Sequence, residues 1–407
     1  MRWSPSRRAV VGGLAATALS PFVVRAQSGE PIRFGVLAPL TGGGGPYGED
    51  IVKASRLAAD EINRSGGILG GRRIELFVED DETSATAAVK AARKLLDIDK
   101  VIAVTGVWGS APILAVRPLT LEKNVVLTAL GSADEVTQGD TKGLVWRFQA
   151  KASSWGEPAA KAIIQAGHKK IGLLHLQNPF VASMIPAFVS TVEAGGGKVV
   201  SSVEFKPDQP SFRAEIEKVF SAQPDAVFVP SYVNQFTSIA KDIYRGGYKG
   251  RIISLTIAAS AGLDGSGTFV KNVGKEVAEG IEHVQPISPI DRPEYRSFVK
   301  ALGAPEGTVF PFAALQYDAI NVLALAIEKA KSAVPAEFAR QIISLTNGPG
   351  EKVATGIEAL PLVRAGAAID FTGAGQDLKF DDKGELLGRP FLHQVIRNGK
   401  DVIVGTV

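Results

Sequence analysis

Ile32-Arg33-Phe34-Gly35-Val36-Leu37-Ala38-Pro39-Leu40-Thr41 leads into a glycine-rich turn and then a helix-forming segment ending Asp60-Glu61-Ile62-Asn63-Arg64-Ser65-Gly66-Gly67. A predicted strand over 73–78, the acidic turn Glu79-Asp80-Asp81 and a second helix over 86–96 follow. Strand, helix, strand, helix in this order is the pattern of an α/β fold, a parallel sheet with helices on its faces. Ligands of such sheets sit beyond the carboxyl ends of the strands, so the turns after the strands are where function is sought.

The pattern extends outward from there. Ile51, Ala54, Ala58 and Ile62 share one helix face, as do Ala88, Ala91, Ala92 and Leu95. Short runs at 101–105 and 125–128 are apolar on both faces and read as central parallel strands. A second series begins near residue 150, with predicted strands at 170–175, 199–205, 226–230 and 251–255 alternating with helices closed by Gly195-Gly196-Gly197 and Gly246-Gly247. Residues 312–331 read as one long helix, and 353–407 as short strands and hairpins. The expected architecture is two doubly wound lobes joined by a hinge. Lobe 1 takes 32–149 and 285–345, and lobe 2 takes 150–284 and 346–407. Closure of the cleft between them around a ligand is the expected motion.

The formal net charge is +3, but residues 1–26 hold Arg2, Arg7, Arg8 and Arg25 and no acid. Four of the 45 basic residues fall there, which leaves 41 against 42 acidic residues, a net of −1. The basic balance is a leader effect and gives no support for nucleic-acid binding. Ser6-Arg7-Arg8 precedes an apolar run from Ala9 to Leu19, and Val24-Arg25-Ala26 offers small residues for cleavage. This reads as an export signal, with paired arginines pointing to the twin-arginine route and Sec export as the alternative. The run is short of the ~20 residues a bilayer span needs. An exported, periplasmic protein is expected. There is no cysteine, so disulfides and thiolate chemistry are excluded. His168, His175, His283 and His393 are scattered without metal-ligand spacing.

Five motifs together resemble the leucine/isoleucine/valine-binding type of periplasmic solute-binding protein, the receptor subunit of ABC importers. They are Phe34–Thr41, Asp60-Glu61-Ile62-Asn63 with Gly66-Gly67, Ala91-Ala92-Arg93-Lys94-Leu95, Phe312-Ala313-Ala314-Leu315-Gln316-Tyr317-Asp318-Ala319, and Phe380-Asp381-Asp382-Lys383-Gly384. The resemblance implies a type I periplasmic binding protein fold, a small-molecule ligand, membrane permease subunits as partners, no cofactor, no metal and a monomer. It places the ligand carboxylate at Ser110, which opens a helix after the strand ending at Gly106. A helix start offers free N–H groups and partial positive charge to an anion. It also implies roles for Ser132 and the Leu130 carbonyl after the next strand, and for Phe180 and Tyr232 as the aromatic positions of the second lobe.

One departure decides the expected ligand. Amino-acid receptors of this type usually place an acid after the strand over 252–255, where it meets the ligand ammonium. Here the residues are Thr256-Ile257-Ala258-Ala259-Ser260. A buried ammonium without a counter-charge costs several kcal/mol. Trp108, two residues before Ser110, would complete an aromatic box with Phe180 and Tyr232. The expectation is therefore a carboxylate with an apolar or aromatic body and no required ammonium. The alternative is a branched-chain or other amino acid held by hydroxyls and carbonyls.

Competing readings stand beside these. Gly43-Gly44-Gly45-Pro46-Tyr47-Gly48 satisfies the dinucleotide fingerprint, but Glu79 stands 31 residues after Gly48 where about 20 are expected. A turn at the cleft mouth, with Tyr47 touching ligand, is the preferred reading. Ser110 also reads as a helix cap, and Trp108, Phe180 and Tyr232 as core. Glu79-Asp80-Asp81 reads as a solvated loop, with Thr83 or Ser84 capping the next helix. No nucleophile–base pair emerges from the turns, so a hydrolase on this scaffold is the weaker class. A ligand sensor shares every feature above.

Overall fold

In the computed structural model, Met1 and residues 29–388 and 390–407 are described. The export signal lies outside the described residues. No helix among the described residues is long and apolar enough to cross a membrane.

The first sheet contains β1 (Ile32–Ala38), β2 (Ile74–Asp80), β3 (Ala103–Trp108), β4 (Val126–Leu130) and β5 (Val145–Arg147), all parallel, in the order β2-β1-β3-β4-β5. Every residue of β3 and β4 is buried, as expected of strands covered on both faces. The second sheet contains β6 (Lys170–Leu176), β7 (Lys198–Phe205), β8 (Ala226–Phe228), β9 (Arg251–Leu255) and β10 (Glu282–Pro286). A parallel pair, β11 (Glu351–Val353) and β12 (Ile369–Phe371), stands apart. β13 (Phe391–Arg397) and β14 (Lys400–Thr406) return to the second sheet, antiparallel, giving the order β14-β13-β10-β9-β8-β6-β7.

Each sheet has its own core. Phe34, Ile51, Trp146 and the long helix Ala313–Ala330 pack in the first, and Leu173, Phe188, Phe228 and Ile253 in the second. Tyr232 and Ile257 lie against both.

Two expectations about the final segment are corrected. Residues 353–407 are not only strands and hairpins, because Gly356–Arg364 forms a helix. A capping box starts it: the Thr355 hydroxyl accepts from Glu358 N, and the Glu358 carboxylate accepts from Thr355 N. Nor does 346–407 belong as a block to the second lobe. Val353, Leu360, Phe371, Leu378, Phe380 and Leu386 pack in the first core. The helix lays Ala359, Leu360 and Val363 against the long helix Ala313–Ala330, and only β13 and β14 join the second sheet. Short apolar runs look alike in sequence whichever core receives them.

The first lobe also buries an ion pair. Arg147, fully buried at the end of β5, puts Nε 2.8 Å from Glu385 Oε2. Its Nη1 donates to Gly131 O at 3.2 Å and its Nη2 to Asp134 O at 3.4 Å. The turn carrying Ser132 is thus tied to the segment before β13. Removing one partner of a buried ion pair strands the other charge. Arg147→Met is expected to lower unfolding free energy by about 3–5 kcal/mol in a urea titration. Adding Glu385→Leu should recover a large part of it, and no recovery would show that the pair is not the cause.

Candidate functional site

The turns after β1, β3 and β4 gather where the two lobes meet. Trp108 ends β3 and is 3% exposed. Its indole touches Tyr47 (centroids 5.3 Å apart) and Phe312 (5.6 Å) in the first lobe, and Tyr232 (5.4 Å) at the start of helix Val233–Arg245 in the second. Tyr47 meets Phe312 edge-on at 4.9 Å. Gly44 is needed here, since a Cβ on it would lie 2.6 Å from the Trp108 ring and 2.8 Å from Pro39. Burial pushes the Tyr47 hydroxyl up to about 12 and raises that of Tyr232 as well.

Ser110 is the first residue of helix Ser110–Glu122, and Gly109, with φ of 84°, precedes it. The Ser110 hydroxyl makes no capping bond. It accepts from Ala133 N at 2.9 Å. Pro112 has no N–H and Ile113 N bonds Gly109 O, so Ser110 N and Ala111 N are the donors at this helix start with no partner inside the helix. Leu130 ends β4, and the Ser132 carbonyl accepts from Ala152 N at 2.6 Å, which joins the site turn to the crossing segment. Beside it the lobes touch again: Ser183 Oγ accepts from Asp134 N at 3.1 Å, and its hydroxyl donates to Glu135 Oε2 at 2.9 Å.

Phe180 does not join the expected box with Trp108. Its ring stacks edge-on against Trp155, 5.6 Å away in the second core, and Trp155 in turn meets Phe391. Phe180 lies in the first turn of the helix Pro179–Ala194, which Asn178 caps by accepting from Val181 N.

Thr256 opens the short helix Thr256–Ala259 after β9. Its hydroxyl lies 2.7 Å from His283 Nδ1 and 3.1 Å from Val284 O, and His283 Nε2 lies 2.9 Å from Asp401 Oδ1. A carboxylate only accepts, so His283 donates from Nε2 to Asp401, while the Thr256 hydroxyl donates to Val284 O and sets its oxygen against Nδ1. Asp401 is already saturated. It accepts from the Ser260 hydroxyl and from Ala261 N and Gly262 N as well. Burial alone would raise its pKa, but these bonds and His283 outweigh it and hold the carboxyl below its ordinary range. The acid nearest Thr256 in this chain of contacts therefore has no oxygen to spare for a ligand ammonium.

An open cavity of about 710 Å³ lies alongside, bordered by Tyr47, Gln149, Trp155, Thr256, Gln285, Phe312 and Gln394, among others. Of the expected ligand residues only Tyr47 and Thr256 border it; Trp108, Ser110, Leu130, Ser132, Phe180 and Tyr232 do not. Sequence reading missed Phe312 as a ring partner, the His283–Asp401 contact and the glutamines. Phe312 stood in a quoted motif and could have been suspected. His283 and Asp401 are 118 residues apart and carry no local signal.

The sequence pattern of the family described as periplasmic binding protein matches residues 31–376. This chain belongs to that family. It stands with the Leu/Ile/Val-binding solute-binding proteins of ABC transporters, which bind rather than transform their solutes. The Leu/Ile/Val-binding protein BraC3 of Rhizobium johnstonii is 27% identical over 328 residues, 80% of this chain and 86% of that protein. The fold superposes on a leucine binding protein, LivK, from Thermotoga maritima with a TM-score of 0.75, at 22% identity, over 92% of this chain and 98% of the other. It superposes equally well on an R. palustris ABC-transporter solute binding protein in complex with benzoate, with a TM-score of 0.73 at 20% identity, over 92% and 96% of the two chains. The α/β, two-sheet architecture is that of type I periplasmic binding proteins.

The acidic turn after β2 is not the solvated loop the sequence suggests. Asp80 accepts from Leu40 N, Thr41 N and the Thr41 hydroxyl, and Thr83 Oγ1 accepts from Gly44 N, so the turn clamps the loop that leads into the helix Gly45–Arg64, which carries Tyr47. Ser84 does cap the next helix. Asp81 is fully buried, with Oδ1 accepting from Thr83 N and Oδ2 unpartnered. Burial pushes its pKa up to about 7, against the Thr83 bond. An acid raised on folding favours the protonated folded state. Its destabilising effect is absent below about pH 4, grows as pH rises towards 7 and is then constant. Asp81→Asn should therefore stabilise the protein above pH 7, by on the order of 4 kcal/mol, and flatten the pH 4–7 slope of the urea midpoint. An unchanged slope would place the titration elsewhere.

Proposed function

We propose that this chain is the exported, periplasmic receptor of an ABC importer, that its lobes close on a small carboxylate, and that it hands the ligand unaltered to permease subunits. The observation that carries the carboxylate is the helix start at Ser110 and Ala111, where two backbone N–H groups and the helix dipole meet beneath rings contributed by both lobes. Ser132 and the Leu130 carbonyl flank that helix start, Tyr47, Trp108 and Tyr232 supply apolar contact, and Thr256 faces from the second lobe. Phe180 acts by supporting Trp155.

The named relatives support a branched-chain amino acid as ligand, since BraC3 and the T. maritima protein carry that description. One observation favours the second reading, an aromatic or apolar carboxylate without an ammonium. At Thr256 an ammonium would meet a neutral hydroxyl, and the carboxylate reached through His283 is spent on four hydrogen bonds. The R. palustris protein with benzoate shows that the fold accommodates such a ligand.

Ligand that binds only the folded state raises the melting temperature. A thermal-shift panel of leucine, isoleucine, valine, phenylalanine and benzoate is the direct test. Stabilisation by the amino acids alone selects the first reading, and stabilisation by benzoate alone the second. Silence from all five would sink the small-carboxylate assignment. With any ligand that binds, Ser110→Ala should weaken affinity by ~1–3 kcal/mol, because Ala133 N loses its acceptor and the turn bearing Ser132 shifts. Unchanged affinity in a fluorescence titration would mean that the carboxylate sits elsewhere.

A further inference from the structure

The cavity beside the aromatic rings has a wall of unusual chemistry. Gln285 on β10 and Gln394 on β13 both border it, and Gln394 is buried. Gln285 Nε2 donates to Gln394 Oε1 at 2.9 Å, a single bond rather than the reciprocal pair two amides can form. One carbonyl oxygen and one NH₂ group therefore remain open side by side, and this holds whichever way the two amides are turned. Gln149, on the same wall, spends its Oε1 on Ala150 N and keeps its own NH₂ group. No Lys, Arg or His borders the cavity among the described residues. Its acids are engaged or outward: Asp401 holds four hydrogen bonds, Asp264 Oδ1 accepts from Ser266 N, and Glu306 is exposed.

We infer that the Gln285–Gln394 pair is a distal subsite for an uncharged carboxamide carried by the ligand, its C=O taken by the open NH₂ group and its N–H by the open carbonyl. The inference rests on the carboxylate reading above and is joined to it by Tyr47 and Thr256, which are assigned to the ligand there and border the same cavity as the glutamines. A distal carboxylate is disfavoured, because it would face an amide oxygen with no cation to compensate. A distal ammonium would set its own donors against the open NH₂ group, with Asp401 spent and the other two bordering acids, Asp264 and Glu306, turned to solvent. A ligand of this class is longer than leucine or benzoate, which accords with a cavity in the range that holds drug-sized molecules.

The test is calorimetric titration of the protein with two matched pairs: benzoate against 4-carbamoylbenzoate, and leucine against glutamine. Terephthalate serves as the charged distal control. In whichever pair binds, the carboxamide member should bind about tenfold tighter, with terephthalate no tighter than benzoate. Gln285→Met should bring the ratio within the pair to about one, and Gln394→Met, in the more buried position, should do the same. A ratio measured within one variant is insensitive to its overall stability. Equal affinities within a binding pair in the wild type would overturn the subsite while leaving the carboxylate reading intact. A ratio that persists in Gln285→Met would overturn it equally. If neither pair binds, the carboxylate reading fails and the subsite falls with it.

Discussion

The arrangement depends on the Trp108 indole, which touches residues of both lobes at once. Trp108 ends a central strand of the first sheet, and its backbone pairs with Leu130 of β4. Its ring meets Tyr47 and Phe312 in its own lobe and Tyr232 in the other. Aromatic pairs in such tilted and edge-on arrangements contribute ~0.5–1.5 kcal/mol each beyond the area they bury. The contact with Tyr232 and the Ser183 bonds to Asp134 and Glu135 join the two lobes. A few kcal/mol of contact between lobes is the scale on which a ligand shifts a two-state hinge.

Beneath that ring the first lobe is braced by buried polar contacts. Thr128 donates to Thr105, Thr105 to Gln316, and Gln316 to Ser55, linking β4, β3, the long helix and the helix that carries Tyr47. Each is satisfied, so the chain of bonds fixes geometry without the penalty of a stranded polar group. Arg147 does the same for the turn around Ser132, and the Asp80 clamp for the turn around Tyr47. The side chains expected at a ligand are therefore held by rigid supports, as a binding site requires if little ordering cost is to fall on the ligand.

On the second lobe the chemistry is displaced by one relay. Where an acid would face the cleft, a hydroxyl does, and the acid stands behind an imidazole. A neutral oxygen at the surface with its charge withdrawn and saturated suits a polar but uncharged contact. The glutamines of β10 and β13 continue the same character along the wall. The R. palustris solute-binding protein seen with benzoate shares the fold at 20% identity, and a shared fold does not by itself fix the ligand.

Much was legible in the chain itself. Hydrophobic spacing at 3.6 residues and short doubly apolar runs are local, and they carried the α/β class, the two sheets and the strand ends at or after which Trp108, Ser110, Leu130, Ser132 and Tyr232 stand. The missing acid at Thr256 was legible too, because absence of a charge needs no partner to be read. Which core receives Leu360 or Phe371, whether Phe180 faces Trp108 or Trp155, and that Asp401 reaches Thr256 through His283 were decided only by the tertiary structure. Those outcomes depend on pairs more than 20 residues apart, whose meeting is fixed by sheet order and packing, and no periodicity along the chain encodes them.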